Sequence, residues 1–262
     1  MLKTWFHGQL QLGLAQAGVA ALAALSVVLL AHRRGIHLEK ELVIAMARGL
    51  VQIVAVGSIL LLLLRRPSWT SVFLLLVMIV AAGATSARRA KGMPGAFEVS
   101  TGAIACGAGS VIALMTLLGV IDTPITALVP VGSMLIANAM NTNGLALNRF
   151  RSDVLAHVGE IETALALGAD GKSSVAPYVQ VSFEASLIPA IDSLRSLGIV
   201  WIPGLMAGMM LSGARPVYAA VYQFVVLAMI FASSGLTSLA STLLIRTRVM
   251  SPADQLILRP GT

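Results

Sequence analysis

The sequence predicts an all-α, polytopic membrane protein with about seven transmembrane helices. Of its 262 residues, 57% are hydrophobic and only 11% are charged. An average soluble domain carries about 25% charged residues at its surface and elsewhere, whereas lipid solvates the apolar exterior of a membrane protein. The charged residues also cluster between long uncharged runs. Together these observations predict a helical bundle with little material outside the bilayer.

Seven apolar runs are long enough to cross a bilayer, which takes about 20 residues of helix. In chain order they are Gly8–Ala31, Leu42–Leu64, Pro67–Ala87, Val99–Ile121, Thr123–Asn148, Ser196–Ala214 and Pro216–Ile245. The second run is interrupted only by Arg48, and the sixth is of marginal length and contains Pro203 and Gly204. We expect one transmembrane permease domain over residues 1–262, with a single long loop at about 149–195.

The positions of Lys and Arg predict how the bundle is oriented. With seven spans, 13 of the 18 basic residues fall on one face of the membrane and four on the other, with Arg48 inside the membrane. Since cytoplasmic loops carry the excess of basic residues, we expect the N-terminus outside and the C-terminus in the cytoplasm. The 149–195 loop is then cytoplasmic, and it is the one segment large enough to receive a partner protein.

Composition and motifs exclude several classes of function. A net charge of +7 with a pI near 10.3 would indicate nucleic-acid binding in a soluble protein. Here the basic residues lie between spans, so we expect contact with membrane lipid and none with nucleic acid. The single cysteine, Cys106, cannot form an intrachain disulfide. The spans show no paired acids, His cluster or nucleophile–base arrangement, which argues against an enzyme and leaves any metal ligands unidentified.

A short amphipathic helix is predicted within the loop, over residues 157–169. Glu160 and Glu162 lie in its first turn, where the helix dipole favours acids. One face is apolar, with the spacing i, i+3, i+4, i+7, at Ile161, Ala164, Leu165 and Gly168. Gly168 should end the helix. Such a helix either docks on another protein or lies on lipid headgroups, and its acids would be repelled by anionic lipid, which favours a protein partner.

Motifs in this helix carry a family resemblance. The string Glu162-Thr163-Ala164-x-x-x-Gly168 resembles the EAA-type coupling loop of ABC transporter permeases, in which a short cytoplasmic helix sits in a cleft of the ATP-binding subunit. The longer string Glu160-x-Glu162-x-Ala164-Leu165-Ala166-Leu167-Gly168-Ala169 resembles the FetB-type permease family, which is linked to iron export and has plant relatives linked to aluminium tolerance. Further matching segments are Arg48-x-x-x-Gln52, Asn138-Ala139-Met140-Asn141, Ile188-Pro189-x-Ile191-Asp192, Pro203-Gly204-x-Met206-x-Gly208 and Tyr222-Gln223.

The resemblance implies the permease subunit of an ABC transporter in the inner (plasma) membrane of a bacterium, exporting iron or a related metal ion from the cytoplasm. It implies a homodimer and a separate ATP-binding subunit that binds ATP and Mg, so that this chain carries no cofactor of its own. The absence of a Walker-type motif agrees with this division of labour. The residues expected to couple the chain to the ATPase are Glu160, Glu162, Ala164, Leu165 and Gly168.

One departure separates this chain from the importers that share the EAA motif. In those permeases a proline follows the motif glycine by 13 positions. Here the comparable Ile188-Pro189 lies 21 positions after Gly168. This spacing argues against the classical importer class. The polar stretch after Gly168 is also divergent, so the docking geometry of the importers is not carried over to this chain.

Polar residues within the spans are candidates for a substrate path. Arg48 and Gln52 share a helical face at i+4, and a charge inside a span usually faces the bundle interior or a water-filled cavity. The alternative is that Arg48 snorkels to the headgroups. Asn138 and Asn141 share a face at i+3, close to Asn143, and they either line the path or form hydrogen bonds between helices.

Met206 and Gln223 complete the predicted pathway set, the second on the family resemblance. The thioether of Met206 suits soft ions such as Cu(I) and is a poor ligand for Fe(II), and ordinary packing is its alternative role. Two other functions stay open. One is an ABC permease for another solute such as a nucleotide sugar, and the other is an ATP-independent secondary transporter or channel, in which Glu162 and Gly168 would be dispensable.

Overall fold

A computed structural model describes residues 9–33, 39–63, 69–90, 92–251, 253 and 255–258, and this part of the chain is predominantly helical. It contains no β-strand and only two isolated β-bridges, Leu197 with Trp201 and Met250 with Leu256. The all-α class is therefore confirmed. Several basic residues that entered the predicted orientation lie outside the described residues: Lys3, Arg34, Arg65, Arg66, Lys91 and Arg259.

Six helical spans in the described residues are long and apolar enough to cross a membrane. The first three are α1 (Gln9–His32), α2 (Glu39–Leu63) and α3 (Trp69–Arg89). The fourth span is composite: α4 (Ala96–Ile104), a π-helical segment (Ala105–Gly109) and α5 (Ser110–Leu117). The last two are α6 (Ile125–Ala156) and α10 (Pro216–Arg248), and between them lie α7 (Val158–Ala166), α8 (Gly171–Ser196) and α9 (Gly204–Leu211).

The chain divides into two compact units, residues 1–66 and 67–262. The first contains α1 and α2, whose apolar side chains are almost all exposed. Because apolar side chains exposed to water are unfavourable, helices of this kind are surrounded by lipid or by other transmembrane helices. Arg48 and Gln52 both lie in α2, one turn apart.

The second unit is a bundle in which α6, α8 and α10 pack against one another. Helix α3 packs on α6, and the composite span packs on α10. The main apolar core lies between these elements and is centred on Leu135 and Ala139 of α6, both fully buried, together with Val226 of α10. Apolar residues on facing helices thus hold the bundle together, as expected where polar backbone groups are already satisfied within each helix.

The π-helical segment lies at a close approach between two helices of the bundle. A Cβ atom at Gly107 would overlap Thr237 of α10, lying 2.5 Å from its backbone nitrogen and 2.7 Å from the carbonyl oxygen of Ser233. Only glycine fits at this contact. A single π-turn adds one residue to a helical turn and therefore rotates the faces of the helix that follows. Here the π-turn contains Gly107, the residue that contacts α10.

The run Ser196–Ala214, predicted to be the sixth span, is not one helix. Helix α8 ends at Ser196, and α9 has eight residues, which rise only about 12 Å against a hydrocarbon core of about 30 Å. Gly198 (φ +76°) turns the chain, and Pro203, which lacks an N–H group, precedes α9. The 26-residue α8, which precedes this run, packs along α6 and α10.

The segment 149–195 accordingly differs from the single loop that was expected. Helix α6 continues to Ala156 and α8 begins at Gly171, so that α7 and its two ends form the whole connection. Arg149 and Arg195, at the two ends of the expected loop, are exposed side chains of α6 and α8. Arg149 forms an i, i+4 ion pair with Asp153 at 2.9 Å, while Phe150 and Val154 are fully buried beside them.

Candidate functional site

Helix α7 is seated on an apolar cluster at one end of the second unit, which we call the end cluster. Its buried members come from five helices, from the connection between α3 and α4, and from the C-terminal segment: Ala90, Met93, Val99, Leu147, Phe150, Val154, Ile161, Val175, Ile245, Val249, Leu256 and Leu258. Ile161 is the one buried residue of α7, and Val158 and Leu165 pack against the cluster beside it. A displacement of α7 would therefore act on the ends of α6, α8 and α10 together.

The first turn of α7 is joined to α8 by an aromatic contact and a hydrogen bond. His157, between α6 and α7, stacks on Tyr178 with 5.1 Å between ring centroids. The Tyr178 hydroxyl donates to Oε2 of Glu160 across 3.3 Å. Burial, and then the neighbouring Glu160 carboxylate, raise the pKa of Tyr178, so the hydroxyl stays protonated and remains a donor at neutral pH.

The end of α7 is a tight glycine turn. Gly168 has φ +93°, its N–H donates to the carbonyl of Leu165, and the N–H of Ala169 donates to the carbonyl of Ala164, both at 3.0 Å. This is the Schellman arrangement, and Gly168 ends the helix as the sequence predicted. Asp170 then caps α8 by accepting the N–H of Ser173 at 3.3 Å. Hydrogen bonding from the Ser173 side chain, and then from backbone N–H groups, lowers the pKa of the Asp170 carboxyl group.

The outward face of α7 is not its most apolar face. Ile161 and Leu165, predicted to form the docking face, pack on the chain itself, and Ala164 is half-buried. The exposed positions are Gly159, Glu160, Glu162, Thr163, Ala166, Leu167, Gly168 and Ala169. Leu167 stands out because 84% of this large apolar side chain is exposed at the tip of the helix. Such a side chain at the tip of a well-anchored helix is typical of a recognition element.

This end of the unit is also strongly basic. Arg88 and Arg89 end α3, Arg246 and Arg248 lie in the last turn of α10, and Arg149 is near the end of α6. Two of these arginines tie elements together. Arg248 pairs with Glu98 of α4 at 2.9 Å, and Arg89 donates to Oδ1 of Asn141 at 3.1 Å. At the opposite ends of α6 and α10, the nearest charged residues in sequence are Asp122 and Arg215.

A cavity of about 250 Å³ lies toward the other end of the bundle, between α6, α8, α10 and the start of α9. The predicted pathway residues Asn138 and Gln223 both line it, although 85 positions separate them in sequence. Gln223 is 1% exposed, and neither atom of its amide has a hydrogen-bond partner within the described part of the chain. Ser193 and Trp201 contribute further polar groups to the wall.

The other predicted pathway residues lie elsewhere. Arg48 and Gln52 belong to the first unit and are exposed. Asn141 binds Arg89, and the buried Asn143 donates to the Ser86 hydroxyl at 2.7 Å, so both join α6 to α3. Met206 is half-buried on α9 and is not part of the cavity wall. Within the described residues, no group of three or more His, Cys, Asp or Glu side chains could hold a metal ion.

Helix α8 connects the two ends of the unit. Val175 and Tyr178 lie at the end cluster, whereas Ala190 and Ser193 line the cavity. The 18 residues from Val175 to Ser193 rise about 27 Å. Sequence reasoning missed this helix because its charged residues, such as Glu184, made the segment resemble a loop. The signal that could have found it is the run of buried small residues that faces α10, where the Ser186 and Ser238 hydroxyls lie 2.7 Å apart.

The fold and these sites define a multi-pass membrane protein of the permease class. The Uncharacterised protein family (UPF0014) matches residues 14–250, and the chain belongs to this family. The UPF0014 membrane protein STAR2 of Oryza sativa subsp. japonica is 33% identical over 240 residues, which cover 91% of this chain and 84% of STAR2.

Two further relatives agree with the family resemblance. The Escherichia coli (strain K12) protein named "Probable iron export permease protein FetB" is 30% identical over 241 residues, covering 91% of this chain and 93% of FetB. The Arabidopsis thaliana "Protein ALUMINUM SENSITIVE 3" is 29% identical over 245 residues, covering 93% and 90%. The resemblance to the FetB-type family is thereby confirmed. No solved structure matches the chain.

Proposed function

We propose that this chain is the permease subunit of an ABC transporter and exports iron or a related metal ion from the cytoplasm, driven by a separate ATP-binding subunit. The observation that carries the proposal is the seating of α7. This short helix is anchored by Ile161 in the end cluster, and it presents Ala166 and Leu167 away from the chain. The iron substrate is proposed from the similarity to FetB, a probable iron export permease protein.

The attachment of α7 suits it to transmit a movement. A partner that shifts the outer face of α7 would displace Ile161, which contacts the end cluster shared by α6, α8 and α10. The Tyr178–Glu160 hydrogen bond passes the same displacement to α8. Closure of the ATP-binding subunits would in this way bias the bundle between two states, and coupling between two sites requires such a two-state element.

Charge supports the orientation in which α7 is cytoplasmic. The arginines at the ends of α3, α6 and α10 surround the end cluster, and cytoplasmic ends carry the excess of basic residues. We place the chain in the inner membrane of a bacterium, with its C-terminus in the cytoplasm and its N-terminus outside. Two copies would work as a homodimer, and the partner subunits would bind ATP and Mg.

The cavity near Gln223 does not favour a nucleotide sugar. Phosphate groups are usually held by Arg or Lys side chains, and none lines this cavity among the described residues. A channel or ATP-independent transporter would leave the exposed Leu167 and the glycine turn after it without a role. Iron or a related metal therefore stays the proposed cargo.

The proposal is tested by Fe(II) uptake into inside-out vesicles that contain this chain and its ATP-binding subunit. A matched vesicle preparation carries a partner whose ATPase is disabled. The proposal expects uptake with ATP and the active partner only. Co-purification of the partner without any Fe(II) uptake would remove iron and keep the ABC assignment, whereas absence of both would remove the proposal.

A further inference from the structure

The buried amide of Gln223 needs a partner that the chain does not provide. Its side chain is 1% exposed and lines the cavity, and its Nε2 and Oε1 atoms have no hydrogen bond within the described residues. An amide buried without a partner is strongly unfavourable, so native proteins pair such groups with protein atoms, ordered water or a ligand. Within the described part of the chain, the cavity that Gln223 lines is the space beside this residue that can hold such a partner.

The remaining polar groups of the wall are also uncharged. Asn138 donates its Nδ2 to the carbonyl of Met134 at 2.8 Å, which leaves the side-chain oxygen as an acceptor. The Ser193 hydroxyl donates to the carbonyl of Pro189 at 2.8 Å and keeps lone pairs to accept with. The indole of Trp201 is a donor only. The cavity thus offers donors and acceptors in similar measure and no formal charge.

Two observations count against a bare metal ion in this cavity. The nearest ion pair along α8, Asp192 with Arg195, has both side chains mostly exposed, so no carboxylate of that pair reaches inward. Gly204 and Leu205 of the wall lie in the first turn of α9, the positive end of a helix dipole, which disfavours a cation and favours ligand oxygens that accept hydrogen bonds. Neutral amide groups alone do not replace the hydration shell of a transition-metal ion.

Resting on the proposed function, we infer that this cavity is a substrate site for a small electroneutral ligand rich in hydrogen-bonding groups. A metal would then cross the chain as a neutral complex with its own ligands and not as a bare ion. The volume of about 250 Å³ has room for about eight water molecules, and so for a metal bound by two small organic anions. Gln223 and Asn138 would bind the oxygen and nitrogen atoms of those ligands.

The test uses Trp201, which lines the cavity, as a fluorescent reporter. Replacing Trp5 and Trp69 by Phe leaves Trp201 as the only tryptophan of the full chain. The purified chain is titrated with electroneutral bis(glycinato)copper(II), whose metal quenches a nearby indole, and in parallel with the anionic copper(II)–EDTA complex. We expect saturable quenching by the neutral complex only. Displacement of the probe by myo-inositol, an uncharged polyol, would extend the site to organic solutes, and lack of displacement would restrict it to metal complexes.

Substitutions at the cavity decide the outcome. Gln223→Met should weaken binding of the neutral complex by about tenfold, because the amide is lost, and Asn138→Leu should act in the same direction and serves if the first variant does not fold. Gln180→Met, which removes an exposed amide of α8, is the matched control and should have no effect. Equal quenching in Gln223→Met and the parent would overturn the inference. It would also be overturned if aqueous Cu(II) bound more tightly than the neutral complex and Gln223→Glu strengthened that binding further. Because the titration needs neither ATP nor a partner, its failure is distinguishable from failure of the proposed ATP coupling.

Discussion

Tyr178 of α8 holds Glu160 of α7 through a hydrogen bond of 3.3 Å, and the same ring stacks on His157 at the start of α7. The contact links α7, the proposed docking helix, to α8, whose far end lines the cavity. It combines one hydrogen bond with one aromatic stack, whereas the other contacts of α7 with the end cluster are apolar. Its removal should therefore affect transmission of movement more than folding.

Tyr178→Phe keeps the ring stack and removes the hydrogen bond. We expect ATP hydrolysis by the partner to continue while metal transport per ATP falls about two- to fivefold, with a change in stability of less than about 1 kcal/mol. The measurement is ATP turnover and Fe(II) uptake in the same vesicles. Tyr218→Phe, on the exposed face of α10, is the matched control. Unchanged transport per ATP in Tyr178→Phe would contradict this role.

The same contact has a defined pH dependence. Burial and the Glu160 carboxylate raise the pKa of Tyr178 above its usual value of 10.0, so the folded state favours the protonated hydroxyl. Its contribution to stability is complete below the unfolded pKa and is lost as pH rises through the higher folded pKa. The difference in unfolding temperature between the parent and Tyr178→Phe should persist from pH 6 to 9 and shrink above pH 10. A difference that grew with pH would oppose this assignment.

Ile161 is the apolar anchor of α7. Replacing this fully buried side chain by Ala should weaken the seating of α7 by about 2–4 kcal/mol, the usual range for such a core truncation. Hydrogen exchange of the α7 amides should accelerate by 30-fold or more while the rest of the bundle is unchanged. Ile199→Ala is the control because 86% of that side chain is exposed. Equal protection of α7 in both variants would show that Ile161 does not anchor it.

Gly168 is needed for its backbone conformation and for the clear surface around it. A Cβ atom there would meet nothing within 4 Å, but φ is +93°, where other residues are strained. Gly168→Arg should abolish transport and partner binding without unfolding the bundle. Gly213→Arg places the same side chain at an exposed position outside α7 with the same φ of +93° and nothing within 4 Å of its Cβ, and it should keep most of the activity. Normal transport by Gly168→Arg would count against α7 as the coupling element.

The sequence predicted local features of the chain but not its tertiary contacts. Periodicity and the glycine at 168 correctly located α7, because both signals are local. The packing of Ile161 and Leu165 on the end cluster could not be predicted, since an apolar helix face can pack on a partner or on the chain itself. Helix α8 was missed because its exposed charges, such as Glu184, lower its hydropathy while its small residues pack on α10. Asn138 and Gln223 line the same cavity only because of tertiary packing, which has no local signature in the sequence.

Gly107 tests the packing between the π-helical segment and α10. Gly107→Ala should strongly destabilise the bundle, by about 3 kcal/mol or more, because the added Cβ meets backbone atoms of Ser233 and Thr237 that cannot rotate away. Gly102→Ala in α4 is the matched control. Nothing lies within 4 Å of its Cβ position, and the gain in helix propensity should leave the chain as stable or up to about 1 kcal/mol more stable. Thermal unfolding in detergent would compare them, and equal stability would refute this packing.

The most direct test of the central claim is photo-crosslinking from the tip of α7 to the ATP-binding subunit. In a Cys106→Ser background, a benzophenone probe is attached at Leu167→Cys and, as control, at Phe73→Cys on the exposed face of α3. The account predicts a covalent adduct with the co-expressed ATP-binding subunit from position 167 and none from position 73. Absence of an adduct from position 167, or equal adducts from both positions, would contradict α7 as the docking element.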